Sequence, residues 1–421
     1  MTEQPVNRST LSTRRAFLQR AALAGATLWG LEAMLTACDG SASSGVEGPS
    51  YPLARPGAPV TWPVDQRQVI ASDLPPEEEA TLRVLSWPNY LAPSVVASFE
   101  RTYRCRVEIR EFPDMDAGLD AMETGAHDAD LMVGMALWAL GRSIASGSLR
   151  PLNLDYVPNL ADNCWASLQS PFYDVGSRYS VPYSVWTTGI VWRNDKIGDD
   201  IASMANPYDF FWNGAPVNKT HVLSNARDVV SMPMFRDGLT DVNVTDPAII
   251  QAATDAMATV MHATNGLNDH SDDVDVPGGR AYLHQAWSGN VTRASILHPR
   301  DVVAKLSFVW PVDSGVPGNI DSDTLVLLNG GRAPVLAHLL LNHLLEANNA
   351  MTNFATCTGY QMPQNSMTLD TLSMQGPAPQ HLANVYLAEE DFDRGSRQLE
   401  LSPAGNILWR EAYIAVAEED I

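Results

Sequence analysis

The most constraining feature of this 421-residue chain is an alternation of strand and helix patterns that begins at Leu82. Short apolar or alternating stretches predict strands over residues 82–85, 104–111 and 129–133. Amphipathic stretches between them predict helices that begin at Pro93 and near Asp114. Strands separated by single helices pair in parallel, and the helices cover the faces of the sheet. The sequence therefore predicts an α/β fold.

In an α/β sheet of this kind, ligands bind beyond the carboxyl ends of the strands. The loops that contain Trp87 and Met135 follow two predicted strands, so we expect both loops to border a ligand site. Residues 179–192 form a dense β segment that is long enough to run from one domain to another. Asp246 is the expected N-cap of a later helix. Further strands are predicted over 281–287, 302–310 and 324–328, and helices over 247–263, 333–349 and 406–418.

The amino terminus has the pattern of an export signal. Arg14 and Arg15 stand in a twin-arginine motif, and a mildly apolar run follows that is too short and too interrupted for a transmembrane helix. The run ends in Leu-Thr-Ala-Cys38, which looks like a bacterial lipobox whose cysteine accepts a lipid. We predict a twin-arginine lipoprotein signal over 1–37 and lipidation of Cys38. A disordered linker rich in Ser, Gly and Pro is predicted over 38–79.

Composition narrows the classes of partner. The chain is 45% hydrophobic and has a formal net charge of -22, so it is globular and acidic. An acidic surface argues against nucleic acid and against anionic lipid headgroups, and it would attract a cationic ligand. An acidic exported protein without such a ligand is the alternative on charge alone. Beyond Cys38 three cysteines remain, at 105, 164 and 357, and their spacing supports no disulfide or metal assignment.

The motifs that would indicate catalysis do not occur in the sequence. We find no glycine-rich phosphate loop, no nucleophile elbow and no His-Glu-x-x-His pair, and we predict no enzyme activity, no cofactor and no metal. The acidic run 269–275 resembles a calcium loop only loosely, because it lacks the central glycine and the distal glutamate, so a solvated loop is predicted. His338 and His343 lie five residues apart in a leucine-rich helix and are interpreted as packing residues.

Seven short stretches of the chain occur together in the order of one known family. They are Leu85-Ser-Trp87-Pro-Asn-Tyr90, Asp130-Leu-Met-Val133, Tyr179-Ser-Val-Pro-Tyr183, Asn225-Ala-Arg227-Asp228, Ala286-Trp287-Ser-Gly-Asn290, Trp310-Pro311 and Thr358-Gly-Tyr360-Gln-Met-Pro363. In this order the chain resembles the polyamine-binding proteins of spermidine/putrescine ABC importers, over about residues 80 to 418.

The resemblance implies a two-lobed periplasmic-binding-protein fold of type 2 topology with the ligand in the inter-lobe cleft. Lobe 1 would comprise 80–185 plus 323–368, and lobe 2 would comprise 186–322 plus 369–421. The expected partners are a small cationic, polyamine-like ligand and an ABC permease with its ATPase. The expected location is the periplasm or the outer face of the cytoplasmic membrane, where the lipid would be the only membrane attachment.

The resemblance also implies a set of ligand-binding residues. A polyamine needs aromatic walls for its methylene groups and cation faces, and carboxylates for its ammonium groups. The aromatic positions of the family are matched by Trp87, Tyr90, Trp287 and Tyr360. The acidic positions are matched less closely, by Asn225, Asp228, Asp321 and Asp323. Asn225 replaces a carboxylate and Asp228 is one methylene shorter than the family's glutamate. The sequence leaves open whether Asp321 or Asp323 is the amine-binding carboxylate.

A second hypothesis keeps the fold and changes the ligand. In this alternative Arg227 would hold the carboxylate of a zwitterionic or amino-acid-like compound. The two hypotheses differ in which substitution should abolish binding, since the first depends on the carboxylates and the second on the guanidinium. An exported enzyme or adhesion module is a third class, and it would require a catalytic constellation that the sequence does not contain.

Overall fold

The computed structural model describes residues 51–125, 128–267, 272–375, 382 and 384–418. The predicted export signal with Arg14 and Arg15, and the predicted lipidation site Cys38, lie outside the described residues. All described elements belong to one compact unit, Gly48–Ile421. Within the described ranges, no helix has both the length and the apolar character needed to cross a membrane.

The strands form one mixed sheet with the order β2-β1-β3-β10-β5-β8-β6-β7, in which β4 pairs with β10 and β9 pairs with β5. The strands are β1 Thr81–Ser86, β2 Arg106–Glu111, β3 Leu131–Met135, β4 Leu149–Arg150, β5 Ser180–Arg193, β6 Thr220–Val222, β7 Thr264–Leu267, β8 Leu283–Trp287, β9 Leu306–Val309 and β10 Ile320–Leu328. Strand β1 is parallel to both β2 and β3, which confirms the predicted parallel arrangement. Strand β10 runs antiparallel to β3 and β5.

Helices flank this sheet and follow most of the strands. They span Pro93–Tyr103, Met115–Glu123, Leu137–Ala145, Asn159–Asn163, Ala166–Gln169, Asp209–Asn213, Ala226–Arg236, Pro247–Met261, Asp272–Asp275, Ser288–Leu297, Arg300–Val303, Pro334–Leu344, Ala347–Asn353, Leu369–Ser373 and Pro403–Glu418. Short 3-10 turns lie at Leu154–Tyr156, Ile201–Ser203, Pro311–Ser314 and Glu389–Asp393, and a π turn lies at Phe354–Thr358.

Local sequence signals explain where several helices begin. Asp114 and Asp246 each accept a backbone N–H of the first turn, and Pro247 occupies the first helical position, as the sequence predicts. The helix predicted over 333–349 is instead two helices, since the first ends before Leu345 and the second begins at Ala347. Similarly, the strand predicted over 302–310 is shorter, because its first residues form a helical turn.

Strand β5 connects the two halves of the sheet. Its residues Ser180 to Thr187 pair with β10, whereas Thr188 to Arg193 pair with β8 and β9. One fourteen-residue strand therefore belongs to both halves, which confirms the expected crossing between domains. Below, lobe 1 is the half built on β1–β4, and lobe 2 is the half built on β6–β9. The exact division of the chain between the lobes stays a prediction.

Each lobe has a packed interior. In lobe 1, Phe99 of the first helix and Leu131 of β3 are fully buried. In lobe 2, Met257 and Trp409 are buried together, because the terminal helix Pro403–Glu418 packs on the helices before β7. Truncating such a side chain to alanine typically costs about 3–5 kcal/mol of unfolding free energy. Trp409→Ala would therefore loosen the terminal helix from lobe 2.

The prediction of a disordered linker over 38–79 is wrong for residues 51–79. Trp62 is 3% exposed, and its Nε1 donates to the carbonyl of Tyr173 at 2.8 Å. The carboxylate of Glu77 accepts the backbone N–H groups of Val335 and Leu336, both at 2.9 Å, at the start of a helix. Proline-rich segments show no helix or strand period, yet an extended segment can still bury single aromatic residues against a formed lobe.

The acidic run 269–275 and His338 are the next two sequence predictions that the structure describes. The acidic run is not a solvated loop where it is described, because Asp272, Asp273 and Asp275 are all buried. Asp269 lies outside the described residues. His338 is fully buried, as expected for a packing residue, and burial lowers its pKa to about 4. The three cysteines that follow Cys38 are free thiols.

Candidate functional site

A cleft lies where the carboxyl ends of β1, β3 and β8 meet the crossing strands β5 and β10. Its empty volume, including the open mouth, is about 820 Å³. Seven of the eight residues predicted to bind ligand line this cleft: Trp87, Tyr90, Asn225, Trp287, Asp321, Asp323 and Tyr360. The structure thus brings together residues that are up to 273 positions apart in the sequence. Their roles as ligand contacts stay predictions.

The lobe 1 wall of the cleft is mainly apolar and includes Trp87, Tyr90, Met115 and Trp138. Trp87 follows β1, and its Nε1 donates to the carbonyl of Gly134 at 2.7 Å. Gly134 has a φ of 89°, and a Cβ at this position would collide with the indole of Trp87. The glycine is therefore required both for the backbone conformation and for the close approach of the ring.

Two carboxylates stand on the crossing strand β10. Asp321 and Asp323 are two residues apart, so they point to the same face of the sheet, and both line the cleft. Oδ2 of Asp323 accepts hydrogen bonds from the hydroxyls of Tyr90 at 2.7 Å and Ser184 at 3.0 Å. Asp321 accepts the backbone N–H groups of Ser322 at 2.9 Å and Gln398 at 3.2 Å.

Burial raises the pKa of both carboxyl groups when no ligand is bound. Desolvation raises the pKa of Asp321 to about 8, although its two backbone hydrogen bonds act in the opposite direction. Desolvation likewise raises the pKa of Asp323 to about 6, against the lowering effect of its hydrogen bonds from Tyr90 and Ser184. A cation placed between these groups would favour their charged forms. The pair is therefore suited to a positively charged ligand.

The lobe 2 wall is more polar and includes Asn225, Asp273, Trp287, Asn290, Arg293 and Gln398. Trp287 is the last residue of β8, and its ring packs edge-on against Trp186 with a centroid separation of 5.9 Å. Asn225 caps the next helix of lobe 2, since its side chain accepts two backbone N–H groups of the first turn. Asn225 therefore borders the cleft, while its oxygen is already used by the helix.

Tyr360 connects the two walls. Its ring lies 5.4 Å from the ring of Tyr90, measured between centroids, and its hydroxyl donates to Oδ1 of Asn290 at 3.0 Å. Asn290 in turn donates to Oδ1 of Asp272 at 2.7 Å. A Cβ on residue 289 would collide with the ring of Tyr360, so Gly289 permits this contact. The position of Tyr360 thus depends on buried partners in lobe 2.

Asp228 and Arg227 lie outside the lining of the cleft. Asp228 is 1% exposed and accepts hydrogen bonds from Trp287 Nε1 at 3.3 Å and from Thr188 Oγ1 at 2.6 Å. It holds Trp287 from behind, and direct contact with a ligand stays a prediction. The guanidinium of Arg227 donates to the carbonyl of Leu399 at 3.1 Å and stacks 4.6 Å from the ring of Trp409.

This placement does not support the alternative that depends on Arg227. The guanidinium is buried among carbonyl oxygens and an indole of lobe 2, so it is not presented to a ligand in the cleft. The sequence could not show this, because an arginine in the first turn of a helix can point to either side of it.

Sequence reasoning missed several lining residues, namely Trp138, Trp186, Asp273, Arg293, Thr358 and Gln398. A usable signal existed for Arg293, because the first turns of a helix that follows a strand lie at the ligand edge of the sheet. Arg293 forms an ion pair with Asp273, and its Nε donates to the carbonyl of Cys357 at 3.2 Å. No such signal existed for Gln398, which belongs to an irregular segment without a period.

Across the described ranges, no group of three or more His, Cys, Asp or Glu side chains could hold a metal ion. The expectations of no metal and no cofactor stay predictions. The cleft offers aromatic faces, amides, carboxylates and one guanidinium. Such an arrangement can bind a cationic solute and bury it between two walls.

Solved structures share this architecture. A spermidine/putrescine ABC transporter substrate-binding protein from Streptococcus pneumoniae matches with a TM-score of 0.65 at 16% identity, covering 81% of this chain and 100% of that one. A lipoprotein of Treponema pallidum matches with a TM-score of 0.68 at 17% identity, covering 80% and 99%. The chain therefore has the two-lobed periplasmic-binding-protein fold.

Sequence relatives make the assignment more specific. No family model matches the chain. The spermidine/putrescine-binding periplasmic protein of Salmonella typhimurium is 24% identical over 337 residues, which cover 79% of this chain and 90% of the relative. The resemblance found in the sequence is confirmed, because the chain is similar to spermidine/putrescine-binding periplasmic proteins over most of its length.

Proposed function

We propose that the protein captures a polyamine in the inter-lobe cleft and delivers it to the permease of an ABC importer. The observation that carries this proposal is the pair of buried carboxylates, Asp321 and Asp323. Both lie on strand β10 and line the cleft between the two walls. A cationic ligand would favour the ionised form of both carboxyl groups and would be their partner in an ion pair.

Aromatic rings supply the other half of the recognition. The rings of Trp87, Tyr90, Trp186, Trp287 and Tyr360 all line the cleft. Methylene groups of the ligand would pack on these rings, and ammonium groups would lie over ring faces, with about 0.5–2 kcal/mol for each cation–π contact once water is excluded. A ligand that touches both walls binds the closed form better than the open form, so it shifts the protein towards closure.

The proposal includes export and anchoring. Arg14 and Arg15 would direct twin-arginine export, and Cys38 would carry the lipid. Relatives are named as periplasmic proteins, and one structural neighbour is a lipoprotein, which supports a location outside the cytoplasmic membrane. Mass spectrometry of the mature amino terminus tests this part. A lipid on residue 38 supports it, whereas an unmodified Cys38 in a mature exported protein would overturn it.

The ligand assignment is tested by isothermal titration of the purified protein with putrescine, cadaverine, spermidine and spermine. The protein must retain residues 51–79, because Trp62 packs in lobe 1. We expect saturable heat and a raised melting temperature with at least one of the four, and none with glutamate at the same concentration. The absence of both signals with all four amines would refute the proposal.

The same experiment distinguishes binding from catalysis. We propose that the protein is a carrier and performs no reaction, as expected from relatives that are named for binding. Ligand recovered after prolonged incubation with the protein should therefore be chemically unchanged by mass spectrometry. Conversion of the ligand in stoichiometric excess over protein would show an enzyme instead.

A further inference from the structure

The part of the cleft next to helix Ser288–Leu297 contains a cation of the protein itself. Arg293 lies on this helix one turn after Asn290, and its side chain is 18% exposed. It forms an ion pair with Asp273, whose side chain is 1% exposed, and both residues line the cleft. The guanidinium therefore faces the same space as the ligand.

The charges that line the cleft have a definite balance. Of the described lining residues, Asp273, Asp321 and Asp323 carry carboxylates, and Arg293 carries the guanidinium. Three negative charges and one positive charge leave a formal balance of two negative charges when all four are ionised. Asn225 and Gln398 contribute neutral amides. The cleft thus has the charge to balance two ammonium groups of a ligand.

These charges are not distributed evenly along the cleft. Contacts run in a row from Asp323 to Tyr90, from Tyr90 to Tyr360, and from Tyr360 to Asn290. Arg293 lies beyond the end of this row, on the same helix as Asn290. The carboxylates on β10 accept hydrogen bonds from hydroxyl and backbone N–H groups, whereas the carboxylate at the opposite end of the row forms an ion pair with Arg293.

We infer that Arg293 limits the cleft to ligands with two ammonium groups, so that it accepts a linear diamine and disfavours a triamine or tetramine. This inference rests on the proposed function and names the ligand class for the same cleft. A third ammonium group, extended from the β10 carboxylates along the row of rings, would approach a guanidinium rather than a carboxylate. Two like charges that approach each other in a partly buried site repel. We expect this repulsion to cause at least about a tenfold loss of affinity.

The charge balance can be altered one unit at a time. Arg293→Gln leaves a balance of three negative charges, Asp273→Asn leaves one, and the double variant restores two. Arg236→Gln is the matched control, because Arg236 pairs with Asp209 in lobe 2 and does not line the cleft. The experiment titrates putrescine and spermidine into the wild-type full-length chain and each variant, with the melting temperature as a check of folding.

For the wild type, we expect tighter binding of putrescine than of spermidine. Arg293→Gln should lower the ratio of the spermidine Kd to the putrescine Kd by at least about tenfold, and the double variant and Arg236→Gln should keep the wild-type ratio. Asp273→Asn should weaken the binding of both ligands and raise the ratio of the two Kd values. This variant tests the inference even if Arg293→Gln fails to fold.

If Arg293 had only a structural role, Arg293→Gln would weaken the binding of both ligands equally and leave the ratio of the Kd values unchanged. That result would overturn the inference. A wild-type preference for spermidine or spermine would overturn it as well. Both of these outcomes leave the proposed function intact, because an amine still binds. Failure of every amine to bind the wild type is the separate result that removes the proposed function.

Discussion

The two walls of the cleft differ in what they present and in what holds them. The lobe 1 wall is made of rings and a thioether, and Trp87 is fixed by a backbone carbonyl and a glycine. The lobe 2 wall adds amides and a guanidinium, and its residues are held by buried carboxylates, with Asp228 behind Trp287 and Asp273 beside Arg293. One wall therefore offers apolar area, and the other offers charged and hydrogen-bonding groups.

Acidic residues of similar burial occupy two different kinds of position in this cleft. Asp321 and Asp323 lie between the walls and face the ligand space. Asp228 and Asp272, in contrast, accept hydrogen bonds from side chains of the lobe 2 wall and position them. A substitution at the first pair should change affinity directly, whereas one at the second pair should act through the side chains that it positions.

The largest expected effect comes from Asp323→Asn. The change keeps the shape of the side chain and removes the charge that would face an ammonium group, so the Kd for putrescine should rise by about a hundredfold. Isothermal titration measures the change. Asp313→Asn is the control, because Asp313 is an exposed partner of Arg394 outside the cleft. A change below threefold for Asp323→Asn would mean that the carboxylates between the walls do not bind the ligand.

The next effect is a dependence of affinity on pH. Below its pKa each carboxyl is neutral and attracts a cation weakly, and above its pKa it is charged. With pKa values of about 8 for Asp321 and about 6 for Asp323, diamine affinity should rise by about tenfold or more between pH 5.5 and 8.5. Binding should also release protons, seen as a difference in heat between phosphate and Tris buffers. Asp321→Asn should flatten the upper part of the profile, and an identical profile in this variant would contradict the assignment.

The same pKa values predict a trend in stability. A folded-state pKa above the unfolded value of 3.8 means that the native state holds the proton more tightly. The unfolding free energy of the ligand-free protein should therefore fall as the pH rises from about 4 to about 8. Urea titrations at several pH values test this for the wild type and Asp321→Asn. The variant should be relatively more stable at pH 8, and a wild type that gains stability relative to the variant over this range would refute the prediction.

Aromatic contacts should matter less than the charge. Trp287→Leu keeps an apolar side chain in the lobe 2 wall but removes the ring, so putrescine should bind about three- to tenfold more weakly. Trp212→Leu is the matched control, because Trp212 stacks on Arg236 away from the cleft. Equal effects of the two substitutions on the Kd would show that Trp287 has no contact with the ligand.

The smallest expected effect concerns closure. Arg142 of lobe 1 contacts Glu400 at 2.7 Å, and Glu400 belongs to a segment that packs on lobe 2. Arg142→Gln weakens this contact between the lobes, so the Kd should rise by about two- to fivefold, as expected for a partly exposed ion pair. Arg332→Gln, which breaks a pair with Asp128 within lobe 1, should leave the Kd unchanged. An unchanged Kd for Arg142→Gln would show that the pair does not contribute to the ligand-binding form.

Periodicity was sufficient for the elements that carry the cleft. The alternation from Leu82 to Val133 predicted the parallel part of lobe 1, and residues 179–192 predicted the crossing strand, because patterns of burial repeat with the period of each element. The aromatic and acidic residues of the cleft came from the resemblance to a family rather than from any period. Seven of those eight residues do line it.

The failures have a common physical cause. The burial of Trp62 and of Asp272 depends on contacts with distant segments, and neither has a local signature in the sequence. The direction of Arg227 depends on Trp409, which is 182 positions away. Side-chain orientation in a first helical turn follows tertiary partners, so the sequence predicted that Asn225 and Asp228 lie near the cleft but not which of them lines it.

The contact between Gly289 and Tyr360 has a consequence for how this protein could change its ligand. Because the phenol lies directly on a residue without a side chain, adding one methyl group there would displace it together with the amide of Asn290. The preferred ligand could therefore be altered by a mutation of a residue that does not itself line the cleft.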